Sequence, residues 1–102
     1  MMIATGVTID MSSRTFFAIP SAWRKKLGIK QGNLAKLCIK NNSIVINACN
    51  QYTTEIVSTI GREGQIYIPA EVRRHFDIKG IKRFEVFIDE INKRIILKPN
   101  LN

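Results

Sequence analysis

The chain has 102 residues, of which 45% are hydrophobic and 24% are charged, a balance that is typical of one compact globular domain and excludes a disordered chain. Sixteen Lys and Arg residues against eight Asp and Glu residues give a net charge of +8, which favours a polyanionic partner. No apolar run approaches the roughly 20 residues of a membrane-spanning helix, and the N-terminus lacks a signal-peptide pattern, so we expect a soluble, cytoplasmic protein without membrane contact.

The first half of the chain begins with two short runs that favour strands. Residues 7–11 and 15–19 are rich in β-forming residues and flank a polar turn at residues 12–14. A hairpin is the simplest arrangement of two such strands. Pro20 then marks the boundary with a helix, because its fixed φ suits the first helical position and its missing N–H costs nothing there.

A helix and a second hairpin complete the first half. The spacing predicts a helix over residues 21–27, with Trp23 and Leu27 on its core face and a glycine directly after it that suits a left-handed C-cap. Residues 34–40 and 43–48 are predicted to pair around two adjacent asparagines, since their apolar positions alternate toward one face.

The second half follows the same plan. Strands are predicted near residues 55–60 and 65–68, and a helix near residues 70–76. The final hairpin has its loop at residues 90–93, about two residues longer than the loop of the earlier hairpin. Residues 50–54 are polar and form the predicted linker between the halves.

The two halves are predicted to be copies of one unit. Ile19-Pro20 and Ile68-Pro69 lie 49 residues apart in similar surroundings. The same offset matches apolar positions elsewhere, such as Val7 with Ile56, Leu27 with Phe76, and Leu37 with Val86. Repeat 1 then covers residues 1–49 and repeat 2 covers residues 55–102. Because about 45 residues bury too little apolar surface to fold alone, we expect both copies to share one core.

Basic side chains recur at the same places in both copies. Arg24 and Lys25 follow the first Ile-Pro pair, and Arg73 and Arg74 occupy the equivalent positions after the second, so all four are predicted on the outward faces of the two short helices. Solvated surface is the ordinary fate of Lys and Arg. Recurrence about a pseudo-twofold axis nevertheless favours contacts with phosphates on both sides of a DNA groove, with Lys26 a weaker candidate.

The aromatic residues divide into two groups by periodicity. The group expected in the core is Phe17, Trp23, Phe76 and Phe84. Phe16 and Tyr67 alternate outward, so they are the better candidates for a nucleic-acid or subunit surface.

No catalytic or metal-binding pattern is visible in the sequence. Cys38 and Cys49 with one histidine do not make a zinc-ligand set or a disulfide scaffold, and we expect both thiols to be reduced. There is no phosphate-binding glycine loop, nucleophile elbow or carboxylate–histidine metal pattern. We therefore expect no enzyme, no metal site and no cofactor.

Residues 58–74, which contain Gly61-Arg62-Glu63-Gly64-Gln65-Ile66-Tyr67-Ile68-Pro69, together with residues 95–99, resemble the AbrB/SpoVT domain. Residues 13–32 are similar to a more divergent branch that includes MazE-like antitoxins and AbrB-like segments of archaeal PhoU-type regulators. The resemblance implies a mostly β fold with two short helices, in which two units interleave their hairpins into a pseudo-twofold swapped-hairpin barrel. The sequence leaves open whether they interleave within one chain or between chains, although the linker length favours one chain.

The resemblance also implies DNA binding by basic residues near the first hairpin of each unit and on the short helix. Arg73 and Arg74 match the double arginine of the family. Gln65 and Phe16 stand where the family commonly has a basic residue, so arginines in the adjacent turns are the candidates to replace it. The candidate DNA-binding residues are Arg14, Arg24, Lys25, Lys26, Arg62, Arg73 and Arg74.

The leading functional hypothesis is a transcription regulator that binds double-stranded DNA partly through groove shape. An antitoxin is the first alternative, but the antitoxins of this resemblance use an extended C-terminal tail and only three residues follow Pro99, so a toxin is the less favoured partner. A general nucleoid or RNA-binding protein is the second alternative. If whole chains associate, we expect a homodimer.

Overall fold

The computed structural model describes residues 2–12, 15–49 and 56–100. The predicted linker at residues 50–54 and the candidate Arg14 lie outside these ranges. In chain order the elements are β1 (Met2–Asp10), β2 (Phe16–Ala18), α1 (Ser21–Leu27), β3 (Leu34–Lys40), β4 (Ser43–Cys49), β5 (Ile56–Thr59), β6 (Gln65–Tyr67), α2 (Ala70–Asp77), β7 (Arg83–Asp89) and β8 (Arg94–Pro99). The expected mostly β fold with two short helices is confirmed.

Both helices begin directly after a proline. Pro20 has φ −55° and ψ 144°, and its carbonyl accepts the backbone N–H of Trp23 and of Arg24 at 3.0 and 3.1 Å. Pro20 is therefore the N-cap of α1, whereas the sequence predicted it at the first helical position. Its extended ψ is the conformation of the preceding strand, so the first helical residue is Ser21. Gly28 ends α1 at φ +69°, which confirms the left-handed cap.

Six strands form one antiparallel sheet in the order β1-β7-β8-β4-β3-β5. β2 and β6 form a separate two-stranded unit, which we call the β2–β6 ribbon. The predicted hairpins β3–β4 and β7–β8 are present, and Leu37 faces Ile46 in the first of them as the alternation requires.

The predicted hairpin between residues 7–11 and 15–19 does not form. β1 pairs with β7 and β2 pairs with β6, so each strand finds its partner in the other half of the chain. Alternation in a sequence specifies which face of a strand is buried but not which strand lies beside it. β1 has nine residues, and most of them can pair with β7, which places the buried Ile9 opposite Phe84. Pairing with β2 could involve only the three residues of that strand.

β1 is longer than the predicted strand because it continues through a bulge. The pairing register with β7 shifts between Ala4 and Thr8, and Gly6 within this segment has φ +78°. Thr5 Oγ1 donates to the carbonyl of Val86 at 2.8 Å, which holds the bulged segment against β7. The irregular backbone interrupts the alternation from which the strand was predicted.

An approximate twofold axis relates the two halves. In the β2–β6 ribbon Phe17 faces Ile66, and these residues are 66 − 17 = 49 positions apart. In the large sheet Val45 faces Ile96, a separation of 96 − 45 = 51, which is the same offset plus the two extra residues of the β7–β8 loop. Equivalent residues face each other in an antiparallel pair when a twofold axis passes between them. The strand order has the same symmetry, because exchanging the equivalent strands β1 and β5, β3 and β7, and β4 and β8 gives the same order read from the opposite edge.

Both halves supply the side chains of one core. Leu27 and Phe76, at equivalent positions of α1 and α2, are each 1% exposed, and Phe76 meets Phe84 edge to face with ring centroids 5.1 Å apart. Of the four aromatic residues predicted for the core, Phe76 and Phe84 are fully buried, whereas Phe17 and Trp23 are half-buried and pack against the core from its rim.

Candidate nucleic-acid interface

The β2–β6 ribbon presents one face to the core and one to solvent. Phe17 and the fully buried Ile66 form its central pair on the inner face. Phe16 and Tyr67 are directly opposite each other on the outer face, with exposures of 43% and 47%. The prediction that these two aromatic side chains point outward is therefore confirmed.

The ribbon is extended by one backbone hydrogen bond at each end. Ile19 donates to the carbonyl of Gly64 at 3.0 Å, and Ile68 donates to the carbonyl of Thr15 at 2.7 Å. These bonds are related by the twofold axis, because 68 − 19 and 64 − 15 both equal 49. Each extended strand then leads through proline into a helix, so the side chains of the first helical turns flank the ribbon.

Arg73 lies along the end of the ribbon that carries Tyr67. Its Nε donates to the carbonyl of Ile68 at 2.9 Å, and its Nη2 donates to the Tyr67 hydroxyl at 3.0 Å. The guanidinium carbon is 5.7 Å from the centre of the Tyr67 ring, within cation–π range. Arginine has five N–H donors, and these contacts occupy two of them. The remaining donors can bind phosphate oxygens.

Arg24 occupies the equivalent position at the other end of the ribbon, beside Gly64. A Cβ atom on Gly64 would lie 2.6 Å from Arg24 Cδ and 2.8 Å from Arg24 Nε, so the side chain rests on the glycine backbone. The Nε of Arg24 is buried and has no hydrogen-bond partner among the described residues. Ala18 stands at the position equivalent to Tyr67, so this end has no hydroxyl like the one that Arg73 uses.

Arg24 and Arg73 were predicted on outward helix faces, and the structure corrects this placement. Both are half-buried and lie against the β2–β6 ribbon. Each helix follows directly after a strand of the ribbon, so the long side chains near its start can reach back to the ribbon.

Lys25 and Arg74 remain as exposed basic residues on the two helices. They are at equivalent positions, and neither has an ion pair or a side-chain hydrogen bond with any residue in the described ranges. Lys26 differs, because its Nζ lies 3.3 Å from Glu90 Oε1 and 5.4 Å from the centre of the Trp23 ring. Its charge is partly balanced, although an exposed pair of this kind is weak.

The turn before β6 carries Arg62, which is exposed. Gln65, the first residue of β6, folds back toward this turn, and its Oε1 accepts the backbone N–H of Glu63 at 3.0 Å. The corresponding turn of the first half contains Arg14, whose placement lies outside the described residues. The structure therefore brings Arg24 and Arg73 to the ribbon, leaves Lys25, Arg74 and Arg62 exposed, and pairs Lys26 with an acid.

Charge is divided unequally between the halves. Residues 1–49 contain seven Lys and Arg residues against one acid, Asp10, and residues 50–102 contain nine against seven acids, so the halves carry +6 and +2.

The pKa of Asp10 is below its ordinary value because the hydroxyl and the backbone N–H of Ser12 donate to its carboxylate. The exposed Glu63 and Glu71 are the acids nearest in sequence to the ribbon and the start of α2.

The described part of the chain offers hydrogen-bond donors and positive charge but no cluster of three or more metal-binding side chains. Cys38 and Cys49 are half-buried. No helix in the described ranges is long and apolar enough to cross a membrane.

Sequence reasoning missed the contact between Tyr67 and Arg73 and the packing of Arg24 on Gly64. A tyrosine six residues before an arginine, across a strand–proline–helix boundary, is a signal that could have indicated the first contact. The second joins two residues 40 positions apart, and nothing in the local sequence indicates it.

Part of the chain matches a known protein family. Residues 57–100, which include β6, α2, β7 and β8, match the family model described as antidote-toxin recognition MazE, bacterial antitoxin. This family belongs to the AbrB/MazE swapped-hairpin superfamily of DNA-binding regulators and antitoxins, whose domains are non-enzymatic. The six-stranded antiparallel sheet with two helices is consistent with the barrel of that superfamily. Searches of curated proteins and of solved structures found no match to the chain.

Proposed function

We propose that the chain is a transcription regulator that binds double-stranded DNA, built from two AbrB-like repeats at residues 1–49 and 55–102 joined by residues 50–54. The family match of residues 57–100 supports this origin for the second repeat. The twofold register of the strand pairs supports the first repeat as its diverged copy.

The observation that carries the proposal is the placement of Arg24 and Arg73 at opposite ends of an exposed two-stranded ribbon, about an approximate twofold axis. A ribbon of this kind fits the major groove of B-DNA, and the twofold symmetry of a DNA-binding protein is mirrored in its operator. Lys25 and Arg74 extend the basic surface along the two helices, and Arg62, Lys26 and Arg14 are its flanking members.

Recognition partly through DNA shape fits this surface better than reading by one long helix. α1 and α2 have seven and eight residues, and their apolar faces are committed to the core. The exposed basic groups on them are suited to phosphate contacts, which position a protein on the duplex without reading bases. Sequence-dependent groove width and bending would then contribute to the choice of site.

The proposal is tested by measuring duplex affinity against salt concentration for the double variant Lys25→Ala, Arg74→Ala. Both side chains are exposed, so we expect folding to be retained and affinity to fall. The slope of log affinity against log salt should become shallower by roughly 0.9 for each phosphate that the variant no longer neutralises. Lys79→Ala with Lys93→Asn is the matched control, because it removes two exposed charges outside the proposed surface.

Equal salt slopes for the wild type, the double variant and the control would exclude the two helix faces. The turns that carry Arg62 and Arg14 would then be the places to substitute.

An antitoxin is a second candidate, and the match to a family of bacterial antitoxins supports it. The two functions differ in their requirements: a regulator binds duplex DNA as the purified chain alone, whereas an antitoxin relieves growth arrest caused by a toxin encoded beside it. A general nucleoid or RNA-binding protein is distinguished by comparing specific with random duplex at one salt concentration, since it would bind both equally.

The proposed assembly on DNA is a homodimer of whole chains. Homodimerisation is associated with the family. In this chain the strands of the two halves already pair with each other, so a homodimer would bring two complete barrels together. Sedimentation with and without duplex measures this stoichiometry.

A further inference from the structure

The outer face of the β2–β6 ribbon does not follow the twofold symmetry of its backbone. The axis relates Phe16 to Gln65 and Tyr67 to Ala18, because each pair is 49 positions apart. One end of the ribbon therefore exposes two aromatic rings, 43% and 47% accessible. The other end has a methyl group and an amide that is turned back to the backbone N–H of Glu63.

The two equivalent arginines differ in the same sense. At the end of the ribbon that exposes the two rings, Arg73 donates hydrogen bonds to the Tyr67 hydroxyl and the Ile68 carbonyl. At the other end Arg24 rests on Gly64, and its buried Nε lacks a hydrogen-bond partner among the described residues. The aromatic end is thus a defined apolar surface with a fixed guanidinium, and we call Phe16, Tyr67 and Arg73 the aromatic end of the ribbon.

Resting on the DNA binding proposed above, we infer that the aromatic end contacts thymine methyl groups in the major groove on one side of the pseudo-twofold axis, and so fixes the orientation of the chain on the duplex. Arg24, Arg73 and the exposed Lys25 and Arg74 make the surroundings positive, which is complementary to DNA. The thymine methyl is the apolar group that the major groove exposes, and aromatic side chains are among its partners. The opposite end offers only the Ala18 methyl group beside the Gln65 amide, a much smaller apolar surface than two aromatic rings, so the recognised sequence is asymmetric.

Each methyl group covered by a ring contributes about the transfer energy of one methylene, which corresponds to roughly fourfold in affinity. The phosphate contacts on both sides of the axis supply charge attraction that does not depend on orientation. Orientation is therefore decided by the aromatic end.

The test begins with wild-type protein and a library of duplexes with a randomised central segment, from which bound sequences are selected. We expect a motif with one side more strongly specified and containing thymine. In the selected duplex, replacing each thymine by deoxyuridine removes only the methyl group. Affinity should fall roughly fourfold per methyl on the specified side, with no change on the other.

The variant Phe16→Gln, Tyr67→Ala gives both ends the side chains of the non-aromatic end. It should select a symmetric motif and lose its sensitivity to deoxyuridine, while its salt slope persists because no charge has been removed. Tyr67→Phe keeps the ring and removes the hydroxyl that binds Arg73, so it should retain the deoxyuridine effect. Ile78→Gln with Ile91→Ala, which alters two exposed apolar side chains outside the ribbon, is the matched control and should behave as wild type.

Wild-type affinity that is indifferent to deoxyuridine at every thymine overturns the inference, whether or not the variants fold. If DNA-free wild type also self-associates and the Phe16→Gln, Tyr67→Ala variant does not, the aromatic end is a subunit surface instead. Either result leaves the proposed function intact as long as duplex binding retains its salt dependence. Absence of any salt-dependent duplex binding refutes the proposed function itself.

Discussion

At the scale of single residues, Gly64 is a position beside the ribbon where both the backbone conformation and the neighbouring atoms exclude a side chain. It is buried at φ +78°, its carbonyl accepts the N–H of Ile19, and the Arg24 side chain lies on it. Glycine is required there for two reasons, since a side chain would be strained by the backbone conformation and would also have no space.

Gly64→Ala should therefore destabilise the fold by more than the roughly 1 kcal/mol of a left-handed alanine. The new Cβ would lie 2.9 Å from the Ile19 carbonyl oxygen, which is backbone and cannot move aside as a side chain can. Denaturant unfolding measures the change. Gly28→Ala is the control, because Gly28 also has positive φ but a Cβ there meets nothing within 4 Å. Equal destabilisation by both variants would show that the crowding against Ile19 and Arg24 has no cost.

At the scale of elements, the two long hairpins differ in their turns. Asn41 and Asn42 connect β3 and β4 with φ of +51° and +61°, the geometry of a two-residue type I′ turn. The longer β7–β8 loop is organised by Asp89, whose carboxylate accepts the side-chain N–H of Asn92 at 2.8 Å and the Nε of Arg94 at 3.0 Å. These contacts explain how two additional residues are accommodated while the strand register is kept.

The Asp89 contacts make a prediction about acid stability. The Asn92 side chain and backbone, followed by Arg94, lower the pKa of Asp89 from 3.8 to about 2. A lowered folded-state pKa means that the stabilisation is fully present above pH 3.8, declines as pH falls below that value and is gone below about pH 2. The free energy of unfolding of Asp89→Asn should be lower than that of wild type at neutral pH, and the difference should shrink across this window. Parallel curves would show that Asp89 does not provide the acid dependence.

At the scale of the whole molecule, the twofold pairing makes each half depend on the other. β1 pairs with β7, β2 with β6, β3 with β5 and β4 with β8. Within the described ranges, the first half alone retains only the β3–β4 hairpin. The apolar faces of α1 and α2 meet one shared core, so neither half has a core of its own.

A chain truncated after Ala48 should therefore not fold as a monomer. It would lack β5, β6, β7 and β8, which pair with β3, β2, β1 and β4, respectively. In addition, fewer than 50 residues bury too little apolar surface to offset chain entropy. Circular dichroism with denaturant titration, at concentrations where sedimentation reports a monomer, measures this. Recovery of a cooperatively unfolding monomer would contradict the dependence of each half on the other.

The sequence by itself determined the local elements, because their signals are local. Hydrophobic period placed α1 at its observed bounds and both long hairpins close to theirs, and the 49-residue offset indicated the twofold relation that the strand register follows. It also separated Phe16 and Tyr67 from the buried aromatic residues, since alternation along a strand fixes the face of each side chain.

Only the tertiary structure decided which strands pair and where the long basic side chains lie. Period 2 is satisfied equally by a local hairpin and by pairing with the other half, and the choice between them depends on total burial and on contacts distant in sequence. Arg24 and Arg73 have flexible side chains that extend from the helices to the ribbon, so their helical positions did not predict their surroundings. Gly64 below Arg24 and the Tyr67 hydroxyl beside Arg73 fixed those two positions, and both contacts depend on how the helices pack beside the ribbon.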